Sequence, residues 1–119
     1  MGARTMIPIT GGTVAGPRIK GVILSGGWDW QLGSKNGCTA VRADYMIRTD
    51  DGITINVLNR GSICGSFSPE SPAMTSPAFE APLGKYEWLN RGAYIGTLEP
   101  ISSVSSAVRI RFYRAVVQQ

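Results

Sequence analysis

The stretch from residue 41 to residue 59, VRADYMIRTDDGITINVLN, decides the fold. Apolar residues occupy every second position from Val41 to Ile47, which is the period of a β-strand with one buried face. Asp50-Asp51-Gly52 then supplies a turn, because an Asp-Gly pair adopts positive φ at little cost. Residues 53–59 form the return strand. We therefore predict an antiparallel hairpin between Val41 and Asn59.

The rest of the chain is a series of short apolar runs separated by glycine, proline and serine. Further strands are predicted at 5–9, 19–24, 28–31, 92–98 and 107–117. The Ser-, Pro- and Gly-rich segment from Ser62 to Pro82 is predicted to be a long loop, and one short helical turn is expected near Lys85–Asn90. Seven or eight short strands in a single domain, residues 1–119, favour an all-β barrel or sandwich.

Histidine is absent from all 119 residues, and this excludes several kinds of active site. A Ser-His-Asp triad, a Cys-His pair and an ordinary zinc hydrolase site all need it. Acid–base chemistry must then use Asp, Glu, Tyr, Lys or Arg, with pKa values tuned by burial. Cys38 and Cys64 lie in no CxxC motif and are expected to be free thiols. We predict no metal site and no cofactor.

The positive charge of the chain is scattered. The formal net charge is +4, with no run of Lys or Arg, so a nucleic-acid partner is not expected. The densest group, Arg109, Arg111 and Arg114, fits a solvated face, a subunit contact or an anionic-ligand site. No secretory signal and no apolar run of about 18 residues is present, which predicts a cytoplasmic protein without a membrane partner. A short chain with a limited core predicts a homo-oligomer, either a dimer or a trimer.

Two acidic residues beside aromatic ones are the candidate catalytic groups. Asp29 lies between Trp28 and Trp30, directly after Gly26-Gly27. Desolvation would raise the pKa of its carboxyl and suit it to act as an acid or base. Strand alternation puts both indoles on one face and Asp29 on the other, so two core tryptophans with a paired carboxylate are the alternative. Glu80 is the second candidate carboxylate.

Other side chains are candidates for substrate contact. Arg42 or Arg48 could stabilise a developing enolate or phenolate. Tyr45 is either a phenolic acid or a core residue with its hydroxyl at the edge. The candidate ring-stacking walls are Trp28, Trp30 and Trp88.

Four short motifs carry a family resemblance. They are IPITGGT at 7–13 with Gly16-Pro17, GGWDW at 26–30, RTDDG at 48–52, and FE at 79–80 with WLNR at 88–91. In this order they resemble domain-of-unknown-function family 3237, also called uncharacterised protein family 0311, from Ile7 to Val116. The resemblance implies a small antiparallel β-barrel, often oligomeric, with a ligand cavity. It also implies a relationship to pyocyanin demethylase, an acid–base enzyme that works without a metal.

The resemblance also assigns residues. The family acid after Gly-Gly corresponds to Asp29, and the Phe-Glu pair places the second acid at Glu80. Asn90, in the last motif, joins the predicted substrate-binding residues. Two departures stand out: residues 73–75 replace an aromatic-Arg segment, and the strand that usually precedes the first motif is missing. We therefore expect a shortened barrel, or one that borrows closure from a neighbouring subunit.

Together these features predict a cofactor-independent acid–base enzyme. An isomerase, a cyclase or a tautomerising lyase would fit, acting on a hydrophobic aromatic or polyketide-like small molecule in a barrel cavity. Two alternatives stay open at this point. One is a non-catalytic binder of the same ligand class, and the other is a structural oligomer without a pocket.

Overall fold

The chain folds as one small antiparallel β-barrel in a computed structural model that describes residues 4–101 and 107–116. The described residues hold nine strands, against the seven or eight expected. The strands are β1 (Arg4–Ile9), β2 (Gly12–Ala15), β3 (Lys20–Ile23), β4 (Gly27–Gly33), β5 (Cys38–Thr49), β6 (Thr54–Cys64), β7 (Ala73–Glu80), β8 (Tyr94–Pro100) and β9 (Val108–Arg114). The single helical element is a 3₁₀ turn at Glu87–Asn90, inside the segment expected to be helical.

The predicted hairpin is confirmed as β5 and β6. The two strands pair in one unbroken register from Cys38–Cys64 to Arg48–Thr54. Gly52 has a φ of 87°, which is the left-handed conformation that the turn requires and that glycine adopts freely. The hydroxyl of Thr49 accepts a hydrogen bond from the backbone N–H of Ile53 and closes the turn.

The sheet follows the order β1-β4-β5-β6-β7-β8-β9. Two strands pair with the same edge of the twelve-residue strand β5. Strand β4 pairs with residues 39–44, and β3 pairs with residues 47–49. Strand β2 pairs with β3 outside the main path. Among the described residues no pairing joins β1 to β9, so these two strands are the edges of the path.

One face of the sheet carries the core, and we call it the inner face. Tyr45 and Ile47 of β5 and Ile55 and Val57 of β6 are all buried there. Alternation therefore places Ala43 and Asn59 on the inner face as well. The buried residues that close this end of the barrel, next to the 3₁₀ turn, are Ala81, Tyr86 and Leu89. The opposite face is called the outer face.

The expectation of a long loop from Ser62 to Pro82 is wrong. Strand β6 continues to Cys64, and Ala73–Glu80 forms β7, so the connection shrinks to residues 65–72. Pro77 concealed this strand, because proline is rarely found in a central strand. Here β7 pairs with β8 only through Ala73–Thr75, so Pro77 lies where the strand has a single partner and its missing N–H is tolerated.

The expectation of free thiols is also wrong. Cys38 and Cys64 form a disulfide, and the described residues hold no free cysteine. The cause is the length of the hairpin, which runs past residues 41–59 and brings the two cysteines directly opposite each other. Their Cα atoms are 4.1 Å apart. The disulfide therefore fastens the open end of the same hairpin that carries the inner face.

Candidate functional site

Asp29 lies on the inner face of β4, half-buried, with its two oxygens in different environments. The register Asp29–Ala43 and the alternation of β4 set its direction. Its Oδ2 accepts a hydrogen bond from Nε2 of Gln31 at 3.2 Å. Its Oδ1 is buried and has no hydrogen-bond partner within the protein. Burial raises the pKa of the carboxyl, and the Gln31 hydrogen bond offsets this only in part.

Asn59 occupies the same row of the sheet, two strands away. Asp29 pairs with Ala43, and Ala43 pairs with Asn59, so all three side chains point to the inner face. The two polar residues are separated by two strand spacings, roughly 10 Å between backbones. Ala43 lies between them and packs against the core. Asn59 is only 4% exposed, yet its buried Oδ1 also lacks a hydrogen-bond partner within the protein.

Thr75 provides a third unpartnered buried oxygen on this face. It lies between Gly61 of β6 and Gly96 of β8, and it pairs with both. A Cβ added at Gly96 would lie 2.2 Å from the Thr75 hydroxyl, and one at Gly61 would lie 2.9 Å from its methyl group. The two glycines therefore make the room in which Thr75 is buried. Its hydroxyl faces β8, whereas Asn59 lies on the β6 side.

An open cleft of about 950 Å³ runs across strands β1, β4, β5 and β6. Most of its lining residues have the parity of the outer face, among them Trp30, Arg42 and Arg60. Asp29, Asn59 and Thr75 do not line this cleft. Gln31, which does, connects it to Asp29 through their hydrogen bond.

Among the described residues, the three buried polar side-chain atoms without a hydrogen-bond partner all lie on the inner face. Native proteins leave few such atoms, because each one loses its hydrogen bonds to water without replacement. A group of them on one face is typical of a site that binds a polar ligand. The arrangement can hold a proton on Asp29 and accept or donate hydrogen bonds at Asn59 and Thr75.

The structure separates most of the other predicted site residues from Asp29. Trp28 and Trp30 lie on the outer face, 41% and 44% exposed, with ring centroids 6.4 Å apart. They do not shield Asp29 from water, and they are not core residues. The outer face also carries Arg42, Arg48 and Glu80. Glu80 is an exposed residue that pairs with Asn56, so the two candidate carboxylates point to opposite sides of the sheet.

Three further predicted residues lie toward the closed end of the barrel. Tyr45 is buried on the inner face within the core, and burial raises the pKa of its phenol to about 12. Trp88 stacks under the guanidinium of Arg18, 3.7 Å from the ring centroid. Asn90 binds the backbone of Ala81 twice, accepting from its N–H at 2.7 Å and donating to its carbonyl at 2.8 Å. The Asn90 amide therefore serves the fold.

The arginines of β9 are engaged within the sheet. Arg111 and Arg109 both approach Oε1 of the buried Glu99, at 2.7 Å and 3.5 Å. This carboxylate offsets one of the two positive charges and holds both guanidinium groups within the sheet. Within residues 4–101 and 107–116 the His, Cys, Asp and Glu side chains form no group of three or more that could hold a metal ion. The same residues contain no helix of the length and apolar character that a membrane span requires.

Asn59, Thr75 and Gln31 were not predicted from the sequence. Asn59 had been placed only at the end of the hairpin. One signal was available for it: the turn at residues 50–53 pairs position 59 with position 43, and both have the parity of the apolar face. Thr75 lay in the segment read as a loop, so no alternation could be assigned to it.

Comparison with known proteins identifies the family. Residues 1–115 match the family described as "Protein of unknown function (DUF3237)". The chain belongs to the DUF3237 family. A UPF0311 protein of Rhodopseudomonas palustris is 34% identical over 109 residues, covering 81% of this chain and 71% of the relative. The resemblance seen in the sequence is therefore confirmed, whereas the relationship to pyocyanin demethylase stays a prediction.

Solved structures show the same fold for this DUF3237 chain. A β-barrel-like protein from Acinetobacter baumannii superposes with a TM-score of 0.83 at 31% identity, covering 95% of this chain and 78% of that structure. A more distant relative by sequence is a hydroalkoxylation enzyme of Penicillium herquei. It is 28% identical over 99 residues, covering 82% of this chain and 58% of the enzyme.

Proposed function

We propose that this protein is a cofactor-independent acid–base enzyme in which Asp29 transfers the proton. The observation that carries the proposal is the state of its carboxyl. It is half-buried on the inner face, one of its oxygens is unpartnered, and burial raises its pKa. A general acid or base works best when its pKa approaches the operating pH, and desolvation moves Asp29 in that direction.

The Penicillium relative supports an enzyme and suggests the reaction type. Hydroalkoxylation adds the O–H bond of an alcohol or phenol across a carbon–carbon double bond. One proton is delivered to carbon, one is removed from oxygen, and a C–O bond forms. A single carboxyl can donate the first proton and accept the second, so it returns to its initial protonation state. Within one molecule the reaction is a cyclising isomerisation, which matches the isomerase or cyclase predicted from the sequence.

We propose a hydrophobic aromatic or polyketide-like substrate. The inner face supports this choice, because apolar residues surround the few polar groups. Such a lining binds an apolar ring system, while isolated polar atoms fix its orientation. Asn59 and Thr75 would orient the substrate, whereas Arg42 and Arg48, predicted to stabilise a developing enolate or phenolate, lie on the opposite face.

The test is proton transfer by matched variants. Wild-type protein, Asp29→Asn and Asp44→Asn are incubated in D₂O with a panel of alkenyl-substituted phenols and naphthols, and cyclised products are followed by mass spectrometry. Asp44 is an exposed residue of the outer face and serves as the control. We expect a product with one carbon-bound deuterium, a loss of about a hundredfold or more in Asp29→Asn, and an unchanged rate in Asp44→Asn.

Two results would contradict the proposal. The first is turnover by Asp29→Asn at the wild-type rate, which would make Asp29 structural. The second is tight binding of panel members by the wild type without any conversion, which would identify a non-catalytic binding protein.

We also propose that the chain assembles into a homo-oligomer, a dimer or a trimer. Exposed apolar side chains on the outer face support this, namely Met6, Trp28 and Trp30. Clustered large apolar residues on a protein surface are typical of an interface. Light scattering at micromolar concentration should report an oligomer, and the Trp28→Ser/Trp30→Ser variant should shift it toward monomer. A monomeric wild type would contradict the proposal.

A further inference from the structure

Arg42 and Arg60 form a like-charged pair on the outer face. They are directly opposite each other on β5 and β6, which places their Cβ atoms about 5 Å apart. Among the described residues, neither guanidinium makes an ion pair with a carboxylate. Asp44, the acidic residue of β5, instead accepts a hydrogen bond from Asn56 at 3.4 Å. Like charges in this position repel each other and destabilise the sheet, and an anion bound between them would remove that repulsion.

The arginine pair belongs to the outer-face cleft of about 950 Å³. The lining residues that the structure describes include Arg4, Arg42 and Arg60 but no Asp or Glu. Trp30 lines the cleft one strand away from Arg42, in direct register with it, and is 44% exposed. Met6 follows Trp30 in the same row, on β1. This row therefore changes from apolar on β1 and β4 to cationic on β5 and β6.

We propose that the cleft is a second ligand site, on the opposite face of the sheet from Asp29, and that it binds a planar aromatic carboxylate. The carboxylate accepts hydrogen bonds from the guanidinium groups of Arg42 and Arg60, which match its planar geometry. The ring packs against the indole of Trp30 and the side chain of Met6. From Trp30 to Arg60 the row covers two strand spacings, roughly 10 Å, which is comparable to the length of a bicyclic aromatic acid.

The arginine pair extends beyond the apolar patch proposed to contact a second copy of the chain. That patch consists of Met6, Trp28 and Trp30, whereas Arg60 lies three strand spacings, roughly 14 Å, from Met6. Guanidinium groups without carboxylate partners are costly to bury against an apolar surface. The pair therefore favours an anionic ligand over an extension of the apolar contact.

The test is calorimetric titration with three probes, which are 2-naphthoate, its neutral analogue 2-naphthamide, and acetate, which lacks the ring. The variants are Arg42→Gln and Arg60→Gln, and the matched control is Arg48→Gln. Arg48 is an exposed outer-face residue of β5 that pairs with Thr54 and does not line the cleft. Asp29→Asn distinguishes the cleft from the inner-face site.

We expect the wild type to bind 2-naphthoate, and to bind 2-naphthamide and acetate at least about tenfold more weakly, because each lacks one part of the recognised group. Arg42→Gln and Arg60→Gln should each lose about tenfold in affinity for 2-naphthoate, while Arg48→Gln and Asp29→Asn match the wild type. Arg60→Gln should also raise the melting temperature of the unliganded protein by roughly 1–4 °C, since it removes the repulsion from Arg42.

Several results would each overturn the inference. Absence of 2-naphthoate binding by the wild type would do so, as would equal affinity for 2-naphthamide or acetate. Unchanged affinity in Arg42→Gln and Arg60→Gln, or an equal loss in Arg48→Gln, would show that the pair does not form the site. A loss in Asp29→Asn would place the ligand on the inner face, and a lowered melting temperature in Arg60→Gln would assign this arginine to the fold.

Discussion

Asp29 and Glu80 point to opposite faces of the same sheet. The register carries Asp29 across β5 and β6 to Pro77, whereas Glu80 pairs with Asn56, whose parity is that of the outer face. Because a strand side chain cannot cross its own sheet, the two carboxyls do not share a substrate.

This geometry predicts that the Asp29 carboxyl transfers the proton without help from Glu80. Glu80→Gln should retain turnover within about twofold, whereas Asp29→Asn loses it, since an exposed charge on the far face contributes little to the site. The measurement is the rate of cyclisation for both variants. A loss in Glu80→Gln as large as that in Asp29→Asn would show that the two carboxylates act together.

Ala43 is predicted to have no room for a larger side chain. It packs against the core between Asp29 and Asn59, so Ala43→Leu should lower the free energy of unfolding by about 1–3 kcal/mol. The matched control is Ala78→Leu, an exposed outer-face position on β7. Urea unfolding measures the loss, and unchanged stability in Ala43→Leu would contradict this prediction.

Asn90 is predicted to matter for stability rather than for substrate. Asn90→Ala removes both hydrogen bonds to the backbone of Ala81, a buried residue, and should lower the free energy of unfolding by about 1–3 kcal/mol. Urea unfolding measures the loss, and the folded variant should cyclise its substrate at the wild-type rate. Slower turnover with unchanged stability would restore Asn90 to the substrate site.

The Cys38–Cys64 disulfide is predicted to stabilise the open end of the hairpin. Reduction with dithiothreitol should lower the free energy of unfolding by about 2–4 kcal/mol, since the bond closes a separation of 26 residues in the unfolded chain. The double variant Cys38→Ser/Cys64→Ser is the control and should not respond to the reductant. If the wild type also fails to respond, the thiols are free in solution.

Local patterns were enough to predict part of the fold. The hairpin followed from alternation and an Asp-Gly turn, both of which depend on neighbours in sequence. Strand β7 was missed because Pro77 argues against a strand, and only the short pairing with β8 explains why it is tolerated. The disulfide was missed because the hairpin extends beyond the segment whose alternation is clear.

For a related reason, the sequence revealed only part of the candidate site. Alternation separated Asp29 from its two tryptophan neighbours, but it could not say which of these faces is buried. The register with β5 answers this, by pairing Asp29 with Ala43 on the face of Tyr45. Asn59 is distinguished by what it lacks, a hydrogen-bond partner, and such an absence is visible only in three dimensions.

The pH dependence of stability follows from the raised pKa of Asp29. In the folded protein its carboxyl holds a proton to a higher pH than the value of 3.8 that it has in the unfolded chain. The resulting contribution to stability is fully present below pH 3.8 and is lost as the pH rises through the folded pKa. Asp29→Asn does not titrate, so its stability relative to wild type should increase over that range.

Asp29 can transfer a proton near neutral pH only if its carboxyl keeps that proton where an exposed aspartate has lost it. The direct measurement is an NMR titration of the protein with ¹³C-labelled aspartate, in which Asp29→Asn assigns the signal. We predict a midpoint above 3.8. A midpoint at or below 3.8 would contradict the assignment of Asp29 as the proton-transferring group.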